Sequence, residues 1–212
     1  MSEIEDYIAG HTSPEPDYLS RLSHEVGLKL LYPRMCSGFV QGRVLTMLTA
    51  MIRPENALEI GTYAGYSALC IAEGLPSGGH LDTIEIDDEL EDFILGQFAA
   101  SPLGDRISLH IGDAAEILPR LAKQFDMVYM DANKRTYSET YEQVLPFVRP
   151  GGFILADNTL WDGKVLDPQA NHDSQTRGIC LFNDLVARDP RVSTVILPLR
   201  DGLTLIRKLP LQ

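Results

Sequence analysis

Residues 57–67 read ALEIGTYAGYS. The apolar run 57–60 stops at Gly61, and Gly65 stands just ahead of a new apolar pattern. A strand that turns into a helix around a ligand has this form, since glycine permits positive φ and a close backbone approach. Many strand-to-helix turns use glycine for structure alone, so the ligand has to be argued from neighbouring residues. A P-loop needs a Lys after its second glycine, and none is here. A dinucleotide turn needs GxGxxG, yet positions 63 and 66 are both Tyr, where a diphosphate would have to approach the backbone.

Glu59, directly before the turn, would repel phosphate and attract a cation. Glu85 closes the next apolar run, about 20 residues on, where an acid hydrogen-bonds ribose hydroxyls. Together they describe a nucleoside with a positively charged, phosphate-free tail, and S-adenosylmethionine fits.

The pattern around the turn alternates. Strand-like runs lie at 57–60, 81–86, 107–111, 127–130 and 152–156, with helix-like runs near 64–73, 88–100, 114–123 and 136–147. That order predicts a doubly wound, mostly parallel sheet with helices on both faces. A helix near 175–188 and two strands, 193–197 and 203–207, follow. The last two read as an antiparallel hairpin at the sheet edge, turned by Asp201-Gly202 within PLRDG. Seven strands result. Ahead of them, Ser13-Pro14 reads as the start of a helix carrying Tyr18, Leu19, Leu22, Val26 and Leu30, ended by Pro33. A second helix over 39–51 puts Val40, Val44, Leu45, Leu48 and Met51 on one face. The expected organisation is one domain, 1–212, with a helical cap region over 1–52 and the nucleoside-binding core over 53–212.

Two further strand ends carry oxygen ligands, in MVYMDANKRTY and FILADNTLWDG. Asp131 ends one apolar run; Asp157 and Asn158 end the other. Ligands of open parallel sheets bind at the carboxyl ends of strands. Two carboxylates and an amide oxygen suit a hard divalent cation, Mg²⁺ first, with Ca²⁺ or Mn²⁺ as alternatives. The same acids could instead cap the helices or turns that follow. Lys134, three residues after Asp131, is either a surface lysine or a base beside the cation. Trp161 offers a core residue or a flat wall for an aromatic substrate.

Composition narrows the classes. The net charge is −12, and residues 1–20 hold five acids and no Lys or Arg. Such a chain is repelled by nucleic acid and by anionic membrane surfaces. No run of ~18 apolar residues is present, so no transmembrane helix is expected. The N-terminus lacks a signal-peptide core, and a cytoplasmic location is the expectation. Cys36, Cys70 and Cys180 are widely spaced, form no CxxC pair, and read as free thiols.

The chain resembles the cation-dependent class I O-methyltransferases, the group containing the catechol and caffeoyl-CoA enzymes. The resemblance is carried by MCSGFVQG (35–42), LEIGTYAGYS (58–67), TIEID (83–87), IGDAAEILPRL (111–121), FDMVYMDANKRTY (125–137), ADNTLWDGKV (156–165) and DGLTLIRK (201–208). It implies a Rossmann-like methyltransferase fold. Met35, Gly61, Tyr63, Ser67, Glu85, Ala114 and Asp131 would line the S-adenosylmethionine site, with Glu59, Ile86 and Asp113 beside them. Asp131, Asp157 and Asn158 would hold the metal, and Lys134 matches a general base. Asn133, Tyr137, Trp161 and Arg177 would meet a small aromatic substrate with vicinal hydroxyls. Members of the family are commonly homodimers. Two departures stand out. The catechol enzymes have an aromatic residue at position 133, and the plant enzymes usually an Asp. The stretch from Trp161 to Arg177 is shorter than in the plant enzymes, where it helps bind a coenzyme A ester. The alternatives are a nucleotide-dependent oxidoreductase, against which Tyr63 stands, and a non-catalytic binding protein that kept the fold.

Overall fold

The computed structural model describes residues 3–167 and 173–210. Its sheet has seven strands: β1 (Asn56–Ile60), β2 (His80–Glu85), β3 (Ile107–Ile111), β4 (Phe125–Met130), β5 (Val148–Asp157), β6 (Val192–Leu197) and β7 (Leu203–Lys208). Their order is β3-β2-β1-β4-β5-β7-β6. The first five are parallel, and β7 runs against its neighbours β5 and β6. β1, β2 and β4 are buried at nearly every position because helices cover both faces.

Side chains alternate between two cores. Ala57, Met127, Tyr129 and Leu155 point to one face, covered by α2 (Asp17–Lys29), α3 (Phe39–Ile52), α4 (Tyr66–Gly74) and α5 (Glu91–Ala99). Leu58, Val128, Met130 and Ile154 point to the other, covered by α6 (Ala114–Leu121), α7 (Tyr137–Val144) and α8 (Ser174–Arg188). The chain moves outward from β1 to β3, then returns to β4 on the far side of β1. That reversal opens a crevice at the carboxyl ends of β1 and β4, where open α/β sheets bind ligands.

The N-terminal region differs from the sequence expectation. A helix, α1 (Glu3–Gly10), precedes the predicted ones; it buries no residue, and its apolar side chains Ile4, Tyr7 and Ile8 are exposed. α2 begins at Asp17 rather than at Ser13-Pro14, and it ends at Lys29, before Pro33, which opens a short 3-10 turn, Pro33–Met35. The buried stripe of α3 is Gln41, Gly42, Leu45 and Thr49, while Met51 is exposed. The helix is rotated from the purely apolar face because Gln41 and Thr49 find hydrogen bonds inside. The stretch Pro33–Ile52 is apolar on average, with a mean hydropathy of 1.2. Its helical part, α3, spans only 14 residues and packs on α4, so it is a core helix. At the other end the PLRDG loop uses positive φ at Arg200 as well as Gly202, a longer turn than Asp201-Gly202 alone.

Candidate active site

The glycine turn is built as its residues require. Gly61 has φ +96°, and a Cβ there would stand 2.3 Å from the Asp131 carbonyl oxygen. The backbones of β1 and β4 therefore meet just where both strands end, sealed by Asp131 N–H donating to the Ile60 carbonyl at 2.9 Å. Gly65 has φ +84° and opens α4. Tyr63, between them, also takes positive φ. Met35, Gly61, Tyr63, Ser67 and Asp131 line one narrow cleft, so five residues expected around the cofactor come together.

Register explains the polar row behind this cleft. Glu59 pairs with Thr83 on one side and Tyr129 on the other, all facing α3 and α4. Glu59 is fully buried; Thr83 Oγ1 donates to its Oε2 at 2.5 Å, while Oε1 has no hydrogen-bond partner. Burial, above all, pushes its pKa up to about 8, and the charges of Asp131 and Glu85 add to this. An orphaned buried acceptor beside the cleft is suited to a positively charged donor. Glu85 is occupied differently: its carboxylate accepts from the N–H groups of Tyr63 at 2.7 Å, Ile86 at 2.9 Å and Asp87 at 3.0 Å. Those bonds hold the glycine turn and leave about one lone-pair direction for a ligand hydroxyl. Ile86 is 73% exposed, an apolar side chain in open solvent. Asp113 caps α6 through Ala115 N–H at 2.8 Å, with Ala114 as the first residue of the helix.

The acidic cluster starts at Asp131, which lines the same cleft. Lys134, 7% exposed, forms an ion pair with Asp131. Asp157 is 4% exposed, and its Oδ2 accepts from Tyr129 Oη and Gln41 Nε2, both at 2.6 Å. Its Oδ1 accepts from Asn158 N–H at 2.8 Å. Burial raises the pKa of Asp157, and the neighbouring Asp131 charge raises it further. Two acids that repel each other, one of them buried, with hard oxygen donors, fit a divalent cation at Asp131, Asp157 and Asn158. Asn158 takes positive φ, +59°, as asparagine tolerates, and brings its side chain to the end of β5.

The expected substrate residues separate. Tyr137 is fully buried, and its hydroxyl donates toward the carbonyls of Met130 at 2.6 Å and Asp157 at 2.7 Å. It ties the ends of β4 and β5 together beneath Lys134 and offers no surface to a substrate, which corrects its expected role. Asn133 caps the turn Lys134–Thr136 by accepting from Arg135 N–H at 3.1 Å. Trp161 is half-buried, at φ +47°, with its backbone N–H donating to the Asp201 carbonyl at 3.1 Å. Arg177 is exposed near the start of α8. Part of the loop between them, 168–172, lies outside the described residues. Gln41, Tyr129 and Arg200 join the cluster without having been expected. The one signal for Gln41 was its i, i+4 spacing to Leu45 and Thr49. A groove of about 530 Å³ between α8 and β6 is a weaker candidate because its arginines, Arg188 and Arg191, are already paired with Asp184, Asp189 and Glu142.

An O-methyltransferase family model matches residues 9–209. A caffeoyl-CoA O-methyltransferase of Eucalyptus gunnii is 31% identical over 93% of this chain and 83% of its own length. A catechol O-methyltransferase of Niastella koreensis is 35% identical over 74% of this chain and 72% of its own. Among solved structures, an O-methyltransferase of Bacillus cereus in complex with S-adenosylhomocysteine superposes with a TM-score of 0.89 at 29% identity, covering 98% of this chain and 97% of that one. TomG of Streptomyces achromogenes, solved with S-adenosylmethionine, gives 0.89 at 28% identity, covering 99% and 100%. The chain belongs to the O-methyltransferase family.

Proposed function

We propose that the protein transfers the methyl group of S-adenosylmethionine to one of two vicinal hydroxyls on a small aromatic substrate, with a divalent cation at Asp131, Asp157 and Asn158. The observation that carries this reading is that Asp131, paired with Lys134 and close enough to buried Asp157 for their charges to interact, lines the same cleft as the Gly61 turn. The relatives' names supply the substrate class, caffeoyl-CoA and catechol. The short Trp161-to-Arg177 stretch and the net charge of −12 favour a free catechol-like acceptor over a polyphosphate ester.

Each residue then has a task. Glu59 Oε1 receives the cofactor's amino group, Glu85 a ribose hydroxyl, and Ile86 lies against the adenine. When bound, the cation supplies positive charge that favours ionisation of a substrate hydroxyl near neutral pH. Lys134 leaves Asp131, passes its own proton to solvent, and as a neutral amine takes that hydroxyl's proton at Nζ. The substrate oxygen attacks the methyl carbon in line; the O–CH₃ bond forms as the S–CH₃ bond breaks, and a neutral thioether leaves. The protein's contribution is mainly orientation of the two reactants.

The test is methyl transfer from S-adenosylmethionine to a panel of catechols, caffeate and caffeoyl-CoA, followed by mass spectrometry with Mg²⁺ and with EDTA. Methylated catechol or caffeate only with Mg²⁺ supports every part. Product that survives EDTA removes the metal, and product from the coenzyme A ester alone removes the free-acceptor reading.

A further inference from the structure

We propose that Gln41 and Arg200 are positioning residues for the Asp157 carboxylate, so that the turn between β6 and β7 reaches into the candidate metal cluster. This rests on the reading of Asp157 as a cation ligand. Gln41 is 1% exposed, on the sheet-facing stripe of α3. A buried amide is costly unless all its groups are bonded. Here they are. Nε2 uses one hydrogen on Asp157 Oδ2 at 2.6 Å and directs the other to Tyr129 Oη at 3.1 Å. Oε1 accepts from Arg200 Nη1 at 3.2 Å.

Arginine is donor-only, so its contact decides which end of the amide faces Asp157. A flipped amide would set oxygen against carboxylate and nitrogen against guanidinium. Oδ2 of Asp157 therefore has both lone pairs taken, by Gln41 and by the Tyr129 phenol. Oδ1 accepts only Asn158 N–H and keeps one lone pair free. The carboxylate is thus turned to offer a single oxygen.

The turn grips the other side of Asp157 as well. Leu160 and Trp161 N–H donate to the Asp201 carbonyl at 2.6 and 3.1 Å, and Thr159 N–H to Gly202 at 3.1 Å. The Arg200 guanidinium lies over Gly38, where a Cβ would sit 3.6 Å from Nη1. One turn holds both the loop after Asp157 and the amide that orients it.

The experiment measures Mn²⁺ affinity of the full chain by electron paramagnetic resonance of free Mn²⁺, alongside S-adenosylmethionine affinity and melting temperature. Gln41→Leu is expected to weaken Mn²⁺ binding by about 10–100-fold, the usual effect of losing a group that orients a metal ligand. Arg200→Met, one bond further out, is expected to weaken it by roughly threefold or more, and Arg200→Lys, which keeps a donor, to restore most of the loss. S-adenosylmethionine affinity stays within about twofold throughout. Unchanged Mn²⁺ affinity in Gln41→Leu and Arg200→Met, even with a lowered melting temperature, overturns the positioning role. Wild-type protein that binds no Mn²⁺ overturns the underlying metal reading instead. If Gln41→Leu does not fold, the exposed Arg200 decides alone.

Discussion

The ammonium of Lys134 is paired with the carboxylate of Asp131, three residues before it, and lies 4.8 Å from the ring centroid of Tyr137. A lysine beside the acidic cluster is placed to take a substrate proton once it has released its own to solvent, not to bind cofactor. Lys134→Ala should lower kcat by about 10²–10⁴-fold, the range for a lost general base. S-adenosylmethionine affinity should change far less. Steady-state kinetics and calorimetry on the same preparations separate the two, and a kcat close to wild type would remove the base.

Tyr137 supports the site from beneath. Replacing it with Phe leaves the ring in place but deprives two buried carbonyls, of Met130 and Asp157, of their shared donor. Unsatisfied groups of this kind cost about 1–3 kcal/mol. Urea unfolding of Tyr137→Phe should show that loss, while KM for the aromatic acceptor stays within about twofold. A large rise in KM at unchanged stability would return Tyr137 to the substrate wall.

Gly61 has a matched control in Gly78. Both take positive φ, +96° and +82°, but a Cβ at Gly78 meets nothing within 4 Å, whereas one at Gly61 overlaps the Asp131 carbonyl oxygen. Gly78→Ala should cost only backbone strain, about 1 kcal/mol. Gly61→Ala adds a collision between β1 and β4 and should cost roughly 3 kcal/mol or more, with cofactor binding weakened because the turn moves. Equal costs in thermal unfolding would mean the two strand ends relax freely.

The central sheet was legible because its strands are short apolar runs closed by Gly61, Glu85, Asp131 and Asp157, residues whose chemistry breaks the pattern at the end where ligands bind. Those same breaks announced most of the candidate site. What stayed hidden was orientation and long-range pairing. Gln41 and Asp157 are 116 residues apart, and nothing local to either says that they touch. Tyr137 lies in a motif beside Lys134, yet only the packed structure turns its hydroxyl inward. In α3 the apolar count pointed to one face, and the hydrogen bonds of Gln41 and Thr49 selected another. α1 carries Ile4, Tyr7 and Ile8 at helical spacing, but the run is short and all three are exposed, so the pattern pointed to no core.

Glu59 sets stability against binding, and pH separates them. Its folded-state pKa is raised to about 8, mainly by burial, from an unfolded value near ~4.3. Between those values the folded chain holds a proton that the unfolded chain has released. The associated stability is present in full below pH ~4.3 and is lost as pH rises through about 8. The loss is on the order of 5 kcal/mol. Glu59→Gln has no such titration, so its stability should run flatter than wild type from pH 5 to 8.5 and exceed it at the upper end. Oε1 is also the acceptor assigned to the cofactor's amino group. Gln keeps an acceptor oxygen but not the charge, so the same variant should bind S-adenosylmethionine about 10-fold more weakly, as expected when a charge-assisted hydrogen bond becomes a neutral acceptor's. Thermal unfolding across that pH range, paired with calorimetric titration of the cofactor, reads both effects. A variant that gains stability and keeps its cofactor affinity would leave Glu59 as a buried acid with no part in binding, while one that loses both would place it in the structural core.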